Sequence, residues 1–374
     1  MTLETTPGQG AARLPTREPV VSVLYTSAPT VIEDFGKLME LAHFRQHLPP
    51  AAETILKVNI SWQHYYPGCS TSPWQLDGVA TTLKNAGYGR ITPVQNGTVV
   101  VDSHDGERRN KHDRVLARHG LQSVHLQDKG ARWVPYAPRG PMLVLDKIFP
   151  DGIEIPEMFL GTNIIHLPTL KTHVFTTMTG AMKNAFGGLL NNRRHWTHSV
   201  IHETLVDLLR IQQEIHSGIF AVMDGTIAGD GPGPRAMRPH VKNVILASSD
   251  QVAIDAVAAK MMGFDPLSIP FIRMAHEAGL GVGDPAAITV EGLDISGVNF
   301  GFTRDEDTFV SWGQKQIYWG KLHRFEKALL RTPIVPWSYF ASNVYHNYYW
   351  YPLLGRRRIA RMMDTEWGKL FGTY

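Results

Sequence analysis

Short β-branched runs alternate with amphipathic helical patterns along most of this 374-residue chain. That alternation constrains the fold more than any other feature. Segments 20–25 (VVSVLY), 53–61 (ETILKVNIS), 163–168 (NIIHLP), 218–225 (GIFAVMDG), 241–250 (VKNVILASSD) and 287–295 (AITVEGLDI) read as strands, with 97–102 and 142–146 as further candidates. Segments 32–44, 74–87, 202–216 and 250–263 carry helical periodicity. Gly87 and Gly263 supply the residue that ends a helix, and Asp250 reads as an N-cap. Apolar strands separated by helices predict an α/β fold: a mostly parallel sheet with helices on both faces, in one large domain or two lobes with the site between them. Residues 1–18 read as a flexible lead-in, 19–303 as the α/β core, and 304–374 as an aromatic-rich extension packing on that core.

Composition removes several classes of function. A net charge of +3, from 37 basic and 34 acidic residues, argues against nucleic acid as the partner. The single cysteine, Cys69, excludes an intrachain disulfide framework and an iron–sulfur cluster ligated by this chain alone. The N-terminus does not read as a secretory signal and no run is apolar enough to span a bilayer, so a cytoplasmic location is expected. Trp337, Tyr339, Phe340, Tyr345, Tyr348, Tyr349, Trp350 and Tyr351 precede Arg356, Arg357 and Arg358. That pattern suits a weak contact with a membrane surface, although a segment wrapped over the core accounts for it more simply.

In parallel sheets functional groups gather just past the strand C-termini. The chain is expected to leave the sheet at Pro168 and present Lys171, Thr172 and His173 there. Next, Thr176, Thr177, Thr179, Gly180, Gly187 and Gly188 surround Lys183 and Asn184. Small side chains and free amides read as an open loop that a bulky or anionic ligand can approach, without the spacing of a Walker loop. Asn191, Asn192, Arg193, Arg194, His195, Trp196 and His198 follow, a set costly to bury without partners; a solvated polar loop is the alternative. Segment 223–235 (MDGTIAGDGPGPR) reads as a tight loop holding Asp224, Asp230 and Arg235 at the same edge. Asp255 sits on the apolar stripe of its helix, with Lys171 or Lys183 as its expected partner. Asn59 and Ser61 end a strand before a Ser/Thr-rich turn, and His104 follows another candidate strand.

Five segments in order, KVN (57–59), LPTLKTH (167–173), TGAMKNAFG (179–187), MDGTIAGDGPGP (223–234) and SSDQVAIDAVAAKMMGFDP (248–266), resemble domain-of-unknown-function family 362 over residues 20 to 300. Many members carry a ferredoxin-like cysteine module, which this chain lacks. The order His173, Lys183, His198, with His195 as a rival for the last place, is also similar to the nickel-pincer lactate racemases. In those enzymes a Lys in a Gly-rich loop tethers the cofactor and a His ligates nickel.

That second resemblance implies His104 and His173 as opposed acid–base groups, with Lys171 beside them. It implies Lys183 as the tether; from their own positions in the sequence Asn184, Thr179, Gly180, Asn59, Asp224 and Asp255 are expected around the cofactor. It further implies His198 or His195 on a divalent metal, nickel or another, and Arg193 or Arg194 on a substrate carboxylate. The expectation is an enzyme of isomerase type, dependent on a metal or tethered cofactor, acting on a small carboxylate-bearing metabolite. The alternatives are a cofactor-free biosynthetic enzyme that binds an anionic small molecule, and a non-catalytic scaffold that uses its aromatic tail.

Overall fold

The computed structural model describes residues 18–97, 101–322, 324 and 343–374. Its strands are β1 (Val20–Tyr25), β2 (Thr54–Val58), β3 (Ile91–Gln95), β4 (Val124–His125), β5 (Trp133–Tyr136), β6 (Ile153–Pro156), β7 (Asn163–Leu167), β8 (Thr169–His173), β9 (Thr177–Met178), β10 (Gly218–Asp230), β11 (Arg238–Ser248) and β12 (Thr289–Gly292). One large sheet runs in the order β12-β1-β11-β10-β7-β2-β3-β4. From β10 to β4 every pairing is parallel. β11 runs antiparallel to both its neighbours, so the sheet is mixed but mostly parallel. β8 continues alongside β10 and pairs with β9.

Alternation along the central strands assigns their side chains to two apolar layers. Ile55 packs in the layer that contains helices Gly180–Leu189, Ile201–Ile215 and Gln251–Met262. Leu56 and Val58 pack in the opposite layer, with helices Val31–Leu41, Pro73–Asn85 and the C-terminal Glu366–Thr373. By the same alternation Lys57 lies on the first face, under helix Gly180–Leu189. Every residue of β2 and β7 is buried, as strands covered on both faces must be.

Several expected elements differ. Segment 142–146 is not a strand; it leads into helix Leu145–Ile148, and the amides of Leu143, Val144 and Leu145 donate to the Asp207 carboxylate at 2.7, 2.9 and 3.1 Å. A short apolar run suits either a strand or a buried turn. The chain does not leave the sheet at Pro168, because Thr169–His173 form β8. Segment 223–235 is not a tight loop, because β10 runs on to Asp230. The Gly-containing stretch around Lys183 is not an open loop but helix Gly180–Leu189. Of 97–102, residues 98–100 lie outside the described residues, as do 1–17 and Trp337, Tyr339 and Phe340; Asp102 caps helix Ser103–Arg109.

Beyond residue 304, helix Phe309–Tyr318 crosses one end of the sheet's site, as set out below. Trp350 packs with Trp62 and Tyr66. Trp367 is fully buried and donates to Asn243 Oδ1 at 2.7 Å. Among the described residues no helix is long and apolar enough to cross a membrane.

Candidate functional site

A cleft of about 290 Å³ opens where several strands end. Its walls come from past the ends of β2 (Asn59, Ser61), β3 (Asn96) and β10 (Arg235), from Lys57 within β2 and His173 at the end of β8, from helix Gly180–Leu189, and from the 3₁₀ turn Asn192–Val200. Thr308, Gln314 and Tyr318 of the extension face it from the remaining side. Strand C-termini in a parallel sheet leave such a crevice between adjoining crossovers.

Lys57 fills the floor. Its stem lies against Gly188, where a Cβ would stand 2.6 Å from Lys57 Cε, so glycine makes room for the lysine. Among the described residues its amine donates to one acceptor, the Val58 carbonyl, at 2.6 Å. Burial, with the Arg194 charge behind it, lowers its amine to about 7. Asn184 ties helix Gly180–Leu189 to this strand by donating to the Lys57 carbonyl at 2.8 Å. The adjacent Lys183 points into the cleft over the Phe186 ring, 5.4 Å from its centroid. Among the described residues its Nζ has no hydrogen-bond acceptor. Burial and the neighbouring Lys171 and Arg194 charges bring it to about 7.

Arg194 is buried and donates to two backbone carbonyls, those of Gly97 and Leu190; burial lowers it to about 10. Arg235 donates through Nε to the Ser61 carbonyl at 3.1 Å. Among the described residues no carboxylate lines the cleft. Buried cations without counter-ions are expensive, and a bound anion is what offsets that cost.

The imidazoles are neutral and have defined faces. His173 accepts the Phe175 amide at Nδ1, 3.1 Å, which assigns its proton to Nε2. Burial and the adjacent Lys183 and Lys171 charges hold it well below the ordinary histidine range. His198 donates from Nδ1 to the His195 carbonyl at 3.1 Å, leaving a lone pair on Nε2. Burial takes it down to about 4, and its ring stacks on Tyr318. One histidine is therefore set to donate a hydrogen bond and the other to accept one.

The structure brings together Asn59, His173, Thr179, Lys183, Asn184, Arg194, His195 and His198. Lys171 lies behind the wall, fully buried, donating to Ser61 Oγ at 2.9 Å and to the Cys69 carbonyl. Its amine is lowered to about 8 by burial. Asn59 also braces the 59–71 turn, donating from Nδ2 to the Cys69 carbonyl.

Five expected residues stand elsewhere. His104 is exposed, paired with Asp128 at 3.1 Å and stacked on His125, on a helix that turns Ser103 and Gly106 inward instead. Arg193 is exposed over the Trp196 ring. Asp224 accepts from Ser72 Oγ and the Thr226 amide, beside a separate void the size of one water. Asp255 pairs with no lysine; it accepts the Ala181 and Met182 amides at 2.5 and 3.0 Å, at the N-terminus of helix Gly180–Leu189. Gly180 serves that contact, with φ +71° and the Asp255 oxygens 2.4 Å from where a Cβ would lie.

Sequence reasoning missed Lys57 as a site residue, along with Asn96 and Tyr318. A lysine amid the buried residues of β2 was the available signal for Lys57. Nothing marked Tyr318. A protein-built metal centre does not fit: among the described residues no group of three or more His, Cys, Asp or Glu could hold an ion. The cationic wall would also repel a bare divalent metal.

Residues 54–260 match the family described as "Domain of unknown function (DUF362)". A thylakoid-associated protein of Synechocystis sp. is 32% identical over 269 residues, covering 71% of this chain and 77% of the relative. No solved structure matches the chain.

Proposed function

The chain belongs to the domain of unknown function 362 family, whose description names no reaction, and from its cleft we propose an enzyme that acts on a small carboxylate- or phosphate-bearing metabolite. The observation that carries this reading is the convergence of Lys57, Lys183, Arg194 and Arg235 on a cleft that no carboxylate lines among the described residues. Lys57, Arg194 and Arg235 hold the anion. His173 donates from Nε2 to a substrate oxygen, as a neutral imidazole can when charge develops there. Lys183, near neutrality in its protonation, and the lone pair of His198 exchange protons with the substrate. An isomerase-type proton transfer remains within this chemistry, carried by these groups without the opposed His104.

The test is thermal denaturation of the purified protein against a panel of small mono- and dicarboxylates and phosphates. A ligand at about 100 times its Kd should stabilise the fold by about 2.7 kcal/mol. Lys57→Met should weaken that ligand about tenfold, or about 1.4 kcal/mol. If no anion shifts the transition, or if Lys57→Met and Arg235→Gln bind it like the parent, the reading fails.

A second reading concerns the partner surface. Exposed Tyr348, Tyr349 and Leu353 stand a few residues before exposed Arg356 and Arg357, and Phe309 and Trp312 are exposed on an earlier helix of the extension. Apolar and aromatic groups beside cations fit the face of an anionic membrane. The Synechocystis relative is described as thylakoid-associated. With the cytoplasmic location expected from the sequence, this describes an enzyme that docks on a membrane from its aqueous side. Sedimentation with vesicles of anionic lipid should capture the parent, and Leu353→Asp with Tyr349→Ser should abolish capture. Equal capture of parent and variant would reject the surface.

A further inference from the structure

We propose that Lys183 is a nucleophile that forms a Schiff base with the carbonyl of an oxo acid, which names the substrate class of the cleft. The inference rests on the anion-binding reading above and deepens it.

Three lysines surround the cleft, and their amines are placed differently. Lys57 Nζ is engaged by the Val58 carbonyl, and Lys171 Nζ by Ser61 and the Cys69 carbonyl behind the wall. Lys183 alone lines the cleft with no acceptor among the described residues. An ammonium there would have no counter-charge among the described residues, beside the Lys171 and Arg194 charges that already depress it. The neutral amine is the form that suits the place, and a neutral amine in a cationic, apolar-backed pocket attacks carbonyl carbon. Neighbouring groups complete the requirement. Arg194 and Lys57 are positioned for the acid group, and His173 offers Nε2–H to the carbonyl oxygen.

The step balances as follows. The Lys183 nitrogen pair forms the C–N bond while the carbonyl π pair moves to oxygen, which takes a proton. The amine gives up one proton, and the oxygen, protonated again, leaves as water. One amine, one carbonyl and one proton thus yield one protonated imine and one water. The imine draws electrons from the neighbouring C–H bond, and the His198 lone pair is the group on the wall that can accept the released proton.

The experiment uses the full chain with pyruvate, acetoacetate and 2-oxoglutarate, each with sodium cyanoborohydride, read by intact mass and peptide mapping. The expected result is a single reduced adduct on Lys183. Its formation rate should rise with a midpoint near pH 7 rather than near the ordinary lysine value. Lys183→Met should lose the adduct, and circular dichroism should show it folded. If that variant does not fold, the mapped site and the pH midpoint in the parent decide the matter alone. No adduct with any of the three acids, or labelling spread over other lysines, overturns the proposal. Malonate and lactate, which lack a ketone, separate the two readings. Stabilisation by them without trapping removes the Schiff base and leaves the anion site; loss of both removes both.

Discussion

At the scale of single residues, the cleft places charge where the fold does not favour it. Lys57 and Lys171 hold their amines at about 7 and about 8, and both regain about 10.5 on unfolding. Between those values the unfolded chain binds more protons than the folded one. Stability of the ligand-free protein should therefore rise with pH, by up to about 1.4 kcal/mol per unit for each lysine. Asp255, raised to about 8 by burial, works in the opposite direction below that pH, so the clean window opens above it. Urea midpoints at pH 8 and pH 9 should show the rise, and Lys57→Met should make it shallower by one lysine's share, leaving that of Lys171. That variant should also be the more stable protein at neutral pH without ligand. Gly180→Ala is expected to cost about 2–4 kcal/mol, since it adds a left-handed strain to a collision with a buried carboxylate; a chevron or equilibrium denaturation measures it. Lys183, His173 and His198 were legible in the sequence because polar groups past a strand end are rarely idle. His104 looked equivalent by the same rule, yet it opens a helix that buries Ser103 and Gly106 and leaves the imidazole in solvent. Lys57 left one faint trace, a single cation among the apolar neighbours of a strand, and the strand pattern masks it.

At the scale of elements, helix Gly180–Leu189 carries Lys183 and is fixed at its N-terminus and at its middle by other parts of the chain. Asp255 holds its first amides and Asn184 pins it to β2. Asp255→Ala should free that terminus, lower stability by about 1–3 kcal/mol and weaken anion binding together, which paired denaturation and binding curves would show. The C-terminal helix is a second such element. Trp367→Ala removes a fully buried ring and its bond to Asn243, at an expected cost of about 3–5 kcal/mol in urea denaturation. β1, β2, β7 and β11 follow from their apolar runs. β8 does not, because Pro168 reads as a terminator. Its carbonyl, however, still accepts from the Asp224 amide and from Gln75, so the strand resumes one residue later. The long β10 was cut short for a related reason: Asp-Gly and Gly-Asp pairs suggest turns, whereas here Gly225 and Gly229 are thinned to let Val244, Leu170 and Met237 pack against the strand.

At the scale of the whole molecule, the α/β class was plain from alternation, while the mixed character of the sheet was not, since strand direction leaves little trace in composition. The C-terminal residues show the same limit. Aromatic content marked them as unusual, but only the fold places Tyr318 on the cleft and Tyr374 near Asp77. The sheet order has one more consequence. β1 pairs through Val21 with Ser248 of β11 and through Val20 with Thr289 of β12. During synthesis at about 5–20 residues per second, an early apolar strand waits roughly 10–50 s for either partner to leave the ribosome. For that interval a strand-forming segment has both edges open, which makes the newborn chain a natural client for a holding chaperone.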